Sequence, residues 1–453
     1  MQVVNPATGE VVASFQDAGW EQVAERIEES ARAFATWRRT PIGERADVLR
    51  AAARILRDEA GEHAARMARE MGKPVTQGRA EVDKCARVCE YVAEHGPAML
   101  APRPVATEAA RSWVSFQPLG PVLAVMPWNF PFWQVFRFAA PALLAGNTAV
   151  LKHASSVPGS ALAIESIFSR AGLPPGGFAT VLADSELVPR MIAHKAIAAV
   201  TLTGSVQAGR AVARVAGENL KKTVLELGGS DAYLVLADAD IARAAAVSAE
   251  SRLINSGQSC IAAKRFVVDR SVLAEFEQAL VERMRAATVG DPLREETEVG
   301  PLAREDLRDD LDRQVRESVE RGARLLCGGE LPRQAGAWYP PTVLADVAPR
   351  MPAYHEELFG PVAAVIPADG EADAIRIAND SRFGLGAAVL TRSVERGAAI
   401  AELELEAGNC FVNALVRSDP RLPFGGVRDS GYGRELGELG ILEFVNIKTV
   451  WVA

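Results

Sequence analysis

A thiol, a carboxylate and a side-chain amide stand out because each sits in a short string of conformationally special residues. Cys260 closes Asn255-Ser256-Gly257-Gln258-Ser259-Cys260, Glu226 lies in Leu225-Glu226-Leu227-Gly228-Gly229-Ser230, and Asn129 is enclosed by Pro127-Trp128-Asn129-Phe130-Pro131. A cysteine attacks carbonyl carbon as its thiolate, and the small-residue turn before Cys260 is expected to let a substrate approach closely. The Asn129 amide, with the backbone N–H of Cys260, could then donate to the oxyanion that the attack creates. Such a donor is worth about 2.7–4 kcal/mol of transition-state stabilisation. Glu226 ends an apolar run, so it is expected to face a solvated cavity or to titrate high, as a general base does. Taken singly, each residue also has a plain structural reading: a small core thiol, a turn cap, a turn asparagine.

The elements that must position these groups are legible in outline. A chain of 453 residues exceeds one hydrophobic core and predicts two or three domains. Trp20, Val23, Ile27, Ala31 and Phe34 form one face of an amphipathic helix, and helical patterning continues over 45–71 and 73–99 with a break at Gly72-Lys73-Pro74. From residue 121, β-branched or apolar runs at 122–126, 149–151, 198–203 and 223–227 alternate with helical stretches at 132–145 and 160–171. That alternation predicts a parallel sheet covered by helices on both faces. A second α/β region opens at Tyr233-Leu234-Val235-Leu236 and runs to about residue 420. Residues 105–118 and 443–451 read as extended segments, and the apolar stretch Phe444–Val450 needs a partner strand, either in a second subunit or in the same chain.

Composition excludes several classes. A net charge of −8 argues against a nucleic-acid or anionic-membrane surface. No apolar stretch is long enough to span a bilayer, and Met1–Pro6 lacks a signal pattern. The five cysteines match neither a zinc site nor a disulfide framework. Cys85 and Cys89 read as half-buried helix residues, and a cytoplasmic protein with reduced thiols and no metal is expected.

Together the three strings resemble the aldehyde dehydrogenase superfamily, and the similarity extends from Asn5-Pro6-Ala7-Thr8-Gly9 to Trp451. The resemblance implies an α/β fold: a Rossmann-like cofactor domain at 1–99 and 119–229 with 430–444, an α/β catalytic domain at 230–429, and a small β oligomerisation arm at 100–118 and 445–453. It makes Cys260 the nucleophile, Asn129 the oxyanion donor and Glu226 the base that activates water against a thioester. The reaction needs a hydride acceptor, hence NADP or NAD. Pro127, Trp128 and Leu227 fall among the cofactor contacts. Thr203-Gly204-Ser205 is similar to the family's phosphate-binding turn, Lys152 to its ribose-binding lysine, and Glu357 and Phe359 in Glu357-Leu358-Phe359-Gly360-Pro361 to its nicotinamide-side segment. Where many NAD-specific relatives carry a ribose-chelating glutamate, this chain has Ser155; the missing repulsion of a 2′-phosphate favours NADP.

The substrate is read from cations. Arg137 matches an arginine of succinate-semialdehyde dehydrogenases that grips a distal carboxylate, and Arg417 and Ser418 could add donors. Arg137 could equally form a structural ion pair. Where some relatives place a second arginine ahead of the nucleophile this chain has Ile254, and Ala262 replaces a cysteine that allows a disulfide switch. The expectation is a semialdehyde dehydrogenase working as a homodimer or homotetramer on a small aldehyde, most directly succinate semialdehyde. The alternatives are an aldehyde dehydrogenase acting on another aliphatic or aromatic aldehyde and a non-catalytic structural or binding protein on this fold.

Overall fold

Fully apolar strand runs must be covered on both faces, and residues 121–226 meet that demand in the computed structural model, which describes residues 1–453. Strands Pro121–Met126, Thr148–His153, Phe178–Thr180, Ala199–Thr203 and Lys222–Glu226 form a parallel sheet, with Gly431–Tyr432 antiparallel on its edge. Alternate side chains enter separate cores. Val122, Ala124 and Met126 face helices Ile42–Asp58, Val75–Met99, Trp133–Ala145 and Pro158–Arg170, whereas Leu123 faces helices Trp20–Trp37 and Val206–Glu218. The chain runs outward from 121–126 through 148–153 to 178–180, then returns to 199–203 on the other side of 121–126. Neighbouring strands 121–126 and 199–203 therefore send their following segments in opposite directions, and a crevice opens beyond their carboxyl ends.

A second sheet runs in the spatial order Arg324–Cys327, Thr342–Ala345, Val362–Ala368, Arg265–Asp269, Ala232–Val235, Gly386–Leu390, Asn409–Val412. Only Arg324–Cys327 is antiparallel. A third sheet joins Arg103–Pro104, Arg111–Pro118 and Val445–Val452. The closing strand pairs along its whole length with 111–118, from Val445 opposite Pro118 to Val452 opposite Arg111, so it finds a partner in its own chain. Its other side is an open edge bearing exposed Ile447 and Trp451.

Three local expectations shift. The helical stretch 45–71 is two helices, Ile42–Asp58 and Ala60–Met71, because Glu59 leaves the helical region (φ −107°, ψ 12°) and its carboxylate takes Arg170. The buried stripe of helix Trp20–Trp37 is Val23, Ile27, Ser30, Ala33 and Trp37, with Ala31 and Phe34 only half-buried. A buried hydrogen bond from Ser30 Oγ to Thr148 Oγ1 (2.9 Å) holds a polar residue in that stripe. Cys85 and Cys89 are fully buried rather than half-buried, because helix Val75–Met99 is packed between helices 42–58 and 133–145. No helix is long and apolar enough to cross a membrane.

Candidate active site

Three connections converge between the two large sheets. Asn129 follows strand 121–126, Glu226 ends strand 222–226, and Cys260 lies in the loop between helix Ile241–Leu253 and strand Arg265–Asp269. The cysteine loop is forced into an uncommon backbone: Asn255, Ser256 and Gly257 all have left-handed φ of 54°, 55° and 76°. For the two non-glycine residues this costs about 1–3 kcal/mol each. Hydrogen bonds offset the cost. Asn255 N–H donates to Gln77 Oε1 (2.7 Å), Ser256 Oγ accepts from Gly300 N–H (2.9 Å), and Gln258 Oε1 accepts from Ala303 N–H (2.8 Å). Gly257 carries no side chain because a Cβ there would strike the Gly360–Pro361 backbone. Gly257 in the small-residue turn thus packs against Gly360, while Ser259 and Cys260 line the cavity.

Buried cations aim the loop further. Lys264, with no exposed surface, donates to the carbonyls of Ser259 (2.8 Å) and Cys260 (2.6 Å), and Arg252 donates to Gly257 O (2.5 Å). Asn129 is tied to the same loop: its Nδ2 donates to Gln258 O (3.1 Å) and its carbonyl accepts from Asn255 Nδ2 (2.7 Å). The amide keeps a second N–H, and the Cys260 N–H has no protein acceptor.

Cys260 opens on a cavity of about 280 Å³ whose wall includes Phe130, Trp133, Ile261 and Phe424 beside Arg137, Arg417 and Ser418. Burial above all pushes the thiol up to about 12, with the Glu226 and Glu357 charges adding to the rise and Arg137 and Lys264 opposing it. Glu226 is 2% exposed, and neither of its oxygens accepts a side-chain hydrogen bond. Burial raises its pKa to about 8 against the pull of Arg137, while Glu435 pushes it further up. Arg137 is itself 2% exposed and already engaged: Nε pairs with Glu435, and Nη2 lies 3.3 Å from Thr203 Oγ1 and 3.8 Å from Glu226 Oε2. A substrate carboxylate at Arg137 would compete with two buried glutamates. Of the two sequence readings of Arg137, the ion pair is present.

The crevice beyond strands 121–126 and 199–203 has the features a dinucleotide needs. Helix Val206–Glu218 starts there, with Ser205 Oγ capping Ala208 N–H (3.2 Å), so the positive end of its dipole lies at a turn where Gly204 is half-buried and Ser205 exposed. Gly209 lets this helix press onto Leu227, since a Cβ would lie 2.5 Å from Leu227 Cδ1. The Leu227 side chain is thereby committed to the fold, and its N–H donates to Ser430 O (3.0 Å). Lys152, 8% exposed at the end of strand 148–153, has no hydrogen-bond acceptor in the chain, and burial lowers its pKa despite Asp184. Ser155, just beyond it, is exposed. Trp128 and Phe359 meet edge to face at 5.7 Å, next to Pro127. Glu357 Oε1 accepts from Gly229 N–H (2.9 Å), and a Cβ on Gly228 would collide with the Glu357 carboxylate. An unsatisfied buried lysine, an open helix start and a glycine-lined cradle fit a dinucleotide phosphate–ribose chain. No three His, Cys, Asp or Glu residues gather as a metal site.

Sequence reasoning missed Lys264, Arg252, Glu435 and the Lys73–Glu81 pair. Glu81 accepts the N–H groups of Phe132 (2.9 Å) and Trp133 (3.0 Å), capping helix Trp133–Ala145, and Lys73 stacks 3.9 Å over the Phe130 ring, beside Asn129. One signal was available: Gln77, Glu81 and Lys84 recur at helical spacing, along one face of a helix.

Comparison with known proteins gives a consistent picture. The aldehyde dehydrogenase family model matches residues 1–450. A probable succinate-semialdehyde dehydrogenase [NADP(+)] of Synechocystis is 49% identical over 450 residues, covering 99% of each chain. The succinate semialdehyde dehydrogenase [NAD(P)+] of Escherichia coli is 47% identical over 448 residues, covering 99% of this chain and 97% of that one. The crystal structure of succinic semialdehyde dehydrogenase from Streptococcus pyogenes in complex with NADP+ superposes with a TM-score of 0.97 at 37% identity, covering 100% of this chain and 99% of that one.

Proposed function

The chain belongs to the aldehyde dehydrogenase family, and from that premise we propose that it oxidises succinate semialdehyde to succinate with NADP, or less readily NAD, through a thioester on Cys260. The observation that carries the reading is the cavity at Cys260, whose wall combines Phe130, Trp133, Ile261 and Phe424 with Arg417 and Ser418, which suits an aldehyde with a short aliphatic chain and a distal acid. Arg137 adds its positive field to that wall.

Each step is assigned to a group of this chain. Cys260 releases its proton to solvent and its sulfur bonds to the aldehyde carbon, the carbonyl π electrons moving to the oxygen, while the second N–H of Asn129 Nδ2 and the Cys260 N–H donate to the developing oxyanion. The loop that Lys264 and Arg252 hold keeps that sulfur and that N–H in fixed relation. The dinucleotide, when bound, supplies the acceptor for the hydride that leaves the aldehyde carbon. Lys152, Ser155, Gly204, Ser205, Glu357 and Phe359 would hold it, with Pro127, Trp128 and Leu227 forming the crevice wall. Ser155 favours NADP because no carboxylate stands there to repel a 2′-phosphate. Glu226 then takes a proton from water as the hydroxyl oxygen adds to the thioester carbon, and collapse releases the acid and returns the thiol.

The same reading makes the protein a cytoplasmic homodimer or homotetramer. Its five free cysteines fit a reducing compartment, and the open edge of strand Val445–Val452 fits pairing with a second copy. The test is kcat/KM for succinate semialdehyde against butyraldehyde, followed by nicotinamide absorbance with each cofactor. The expected result is a preference for succinate semialdehyde of about 100-fold or more, in the range of a well-made carboxylate contact, with no reduction in Cys260→Ala. Equal efficiency on both aldehydes contradicts the substrate, and cofactor reduction by Cys260→Ala contradicts the chemistry.

A further inference from the structure

Building on that substrate reading, we propose that Lys84 is the substrate-binding residue that takes the distal carboxylate, its ammonium held in place by Ser418. Lys84 lies on helix Val75–Met99 and lines the Cys260 cavity. Its Nζ donates to Ser418 Oγ at 2.7 Å and stands 4.1 Å from the centroid of the Trp133 ring. An ammonium has three donors, and this one spends a single N–H on the protein.

No carboxylate balances its charge. Glu81, one turn earlier on the helix, is committed to Lys73 and to the N–H groups of Phe132 and Trp133, and the adjacent Asp83 pairs with Arg57 and Arg87. Arg137, the other cation deep in the wall, is held by Glu435. Lys84 is half-buried, and its head has no counter-ion in the chain, so an arriving carboxylate gains a charge partner it need not share. Arg417, on the rim beside Ser418, makes no ion pair and can close over the same group. The Trp133 face guides the ammonium without competing for its remaining protons. The site therefore holds a positive charge that is free, oriented and in the same cavity as the thiol, whereas the charge of Arg137 is already shared.

The decisive quantity is the ratio of kcat/KM for succinate semialdehyde to that for butyraldehyde, measured first in the unmodified protein. If that protein does not prefer the acid-bearing aldehyde, the substrate reading fails, independently of Lys84. If it does, Lys84→Met should lower the ratio about 10- to 100-fold through KM for succinate semialdehyde, and Lys84→Arg should restore most of it. An unchanged ratio in Lys84→Met overturns the inference and leaves the substrate reading standing.

A measurement on the unmodified chain decides the matter even if Lys84→Met does not fold. Burial first, then the Arg137 charge, lowers the Lys84 pKa to about 8. The charged or titratable groups around it are Glu81, Cys85 and Arg87 on its own helix, Arg137 on helix Trp133–Ala145, and Arg417 and Cys260 across the cavity. Arginine keeps its charge throughout the neutral and alkaline range, and titration of Cys260 or Glu226 affects both aldehydes alike. The KM ratio should therefore move roughly tenfold against succinate semialdehyde as pH rises through about 8. A flat ratio overturns the proposal.

Discussion

Around Cys260, individual charges decide when the chemistry can run. Burial keeps its thiol protonated at neutral pH, and Glu226, raised to about 8, is mostly protonated there as well. Loss of a proton from either group is favoured by the same cation, Arg137, which lowers both pKa values. Turnover should accordingly climb with pH through about 8. Removing the cation favours the neutral form of both acids, so Arg137→Met should move the rising limb of kcat upward by about one pH unit or more, and Arg137→Lys should move it less. A pH–kcat series on the three proteins checks this, and an unshifted limb in Arg137→Met contradicts it. Cys260, Glu226 and Asn129 were legible as candidates because each lies in a string of special residues. The Arg137–Glu435 pair was not, since Glu435 lies near the far end of the sequence and only the fold brings the two side chains together. Lys264 and Lys84 were passed over for another reason: lysine is so often solvated that residue type alone carries little information.

Among elements, alternation of apolar runs with helical stretches was enough to announce the parallel sheet, because a strand covered on both faces must be apolar throughout. Strands 121–126, 199–203 and 222–226 fall within a residue or so of the patterned runs. The break at Glu59 was hidden: no glycine or proline stands at that position to mark it, and the Arg170 pair that accompanies it joins residues far apart in sequence. The left-handed run Asn255–Gly257 was hidden too: Asn and Gly tolerate that conformation, but only contacts with Gln77, Gly300 and Gly360 impose it. The closing strand illustrates a pairing that pattern alone left open. It pairs within its own chain on one side and leaves Ile447 (61% exposed) and Trp451 (49%) on an open edge. In the homo-oligomer proposed here, that edge is covered by a second copy. Light scattering on the eluting protein should give a multiple of the one-chain mass, and Ile447→Asp with Trp451→Asp should reduce it to one chain. An unmodified protein already at one-chain mass, or a variant that still assembles, contradicts this use of the arm.

At the scale of the molecule, two sheets share the work. The first ends in the crevice that fits a dinucleotide, the second carries the strand that follows Cys260, and Glu226 comes from the end of strand 222–226 in the first to stand near the thiol of the other. This division explains why a cysteine, a base and an amide so far apart in sequence meet: each lies at or near the end of a strand that stops at the same interface. The central claim is a covalent acyl group on Cys260 that Glu226 is needed to release, and intact-mass analysis of Glu226→Gln mixed with NADP and succinate semialdehyde tests it most directly. The expected result is one round of cofactor reduction per active site and a mass gain of one succinyl group, mapped to the peptide bearing Cys260 and absent in Cys260→Ala. Sustained turnover by Glu226→Gln with no adduct on that peptide would contradict it.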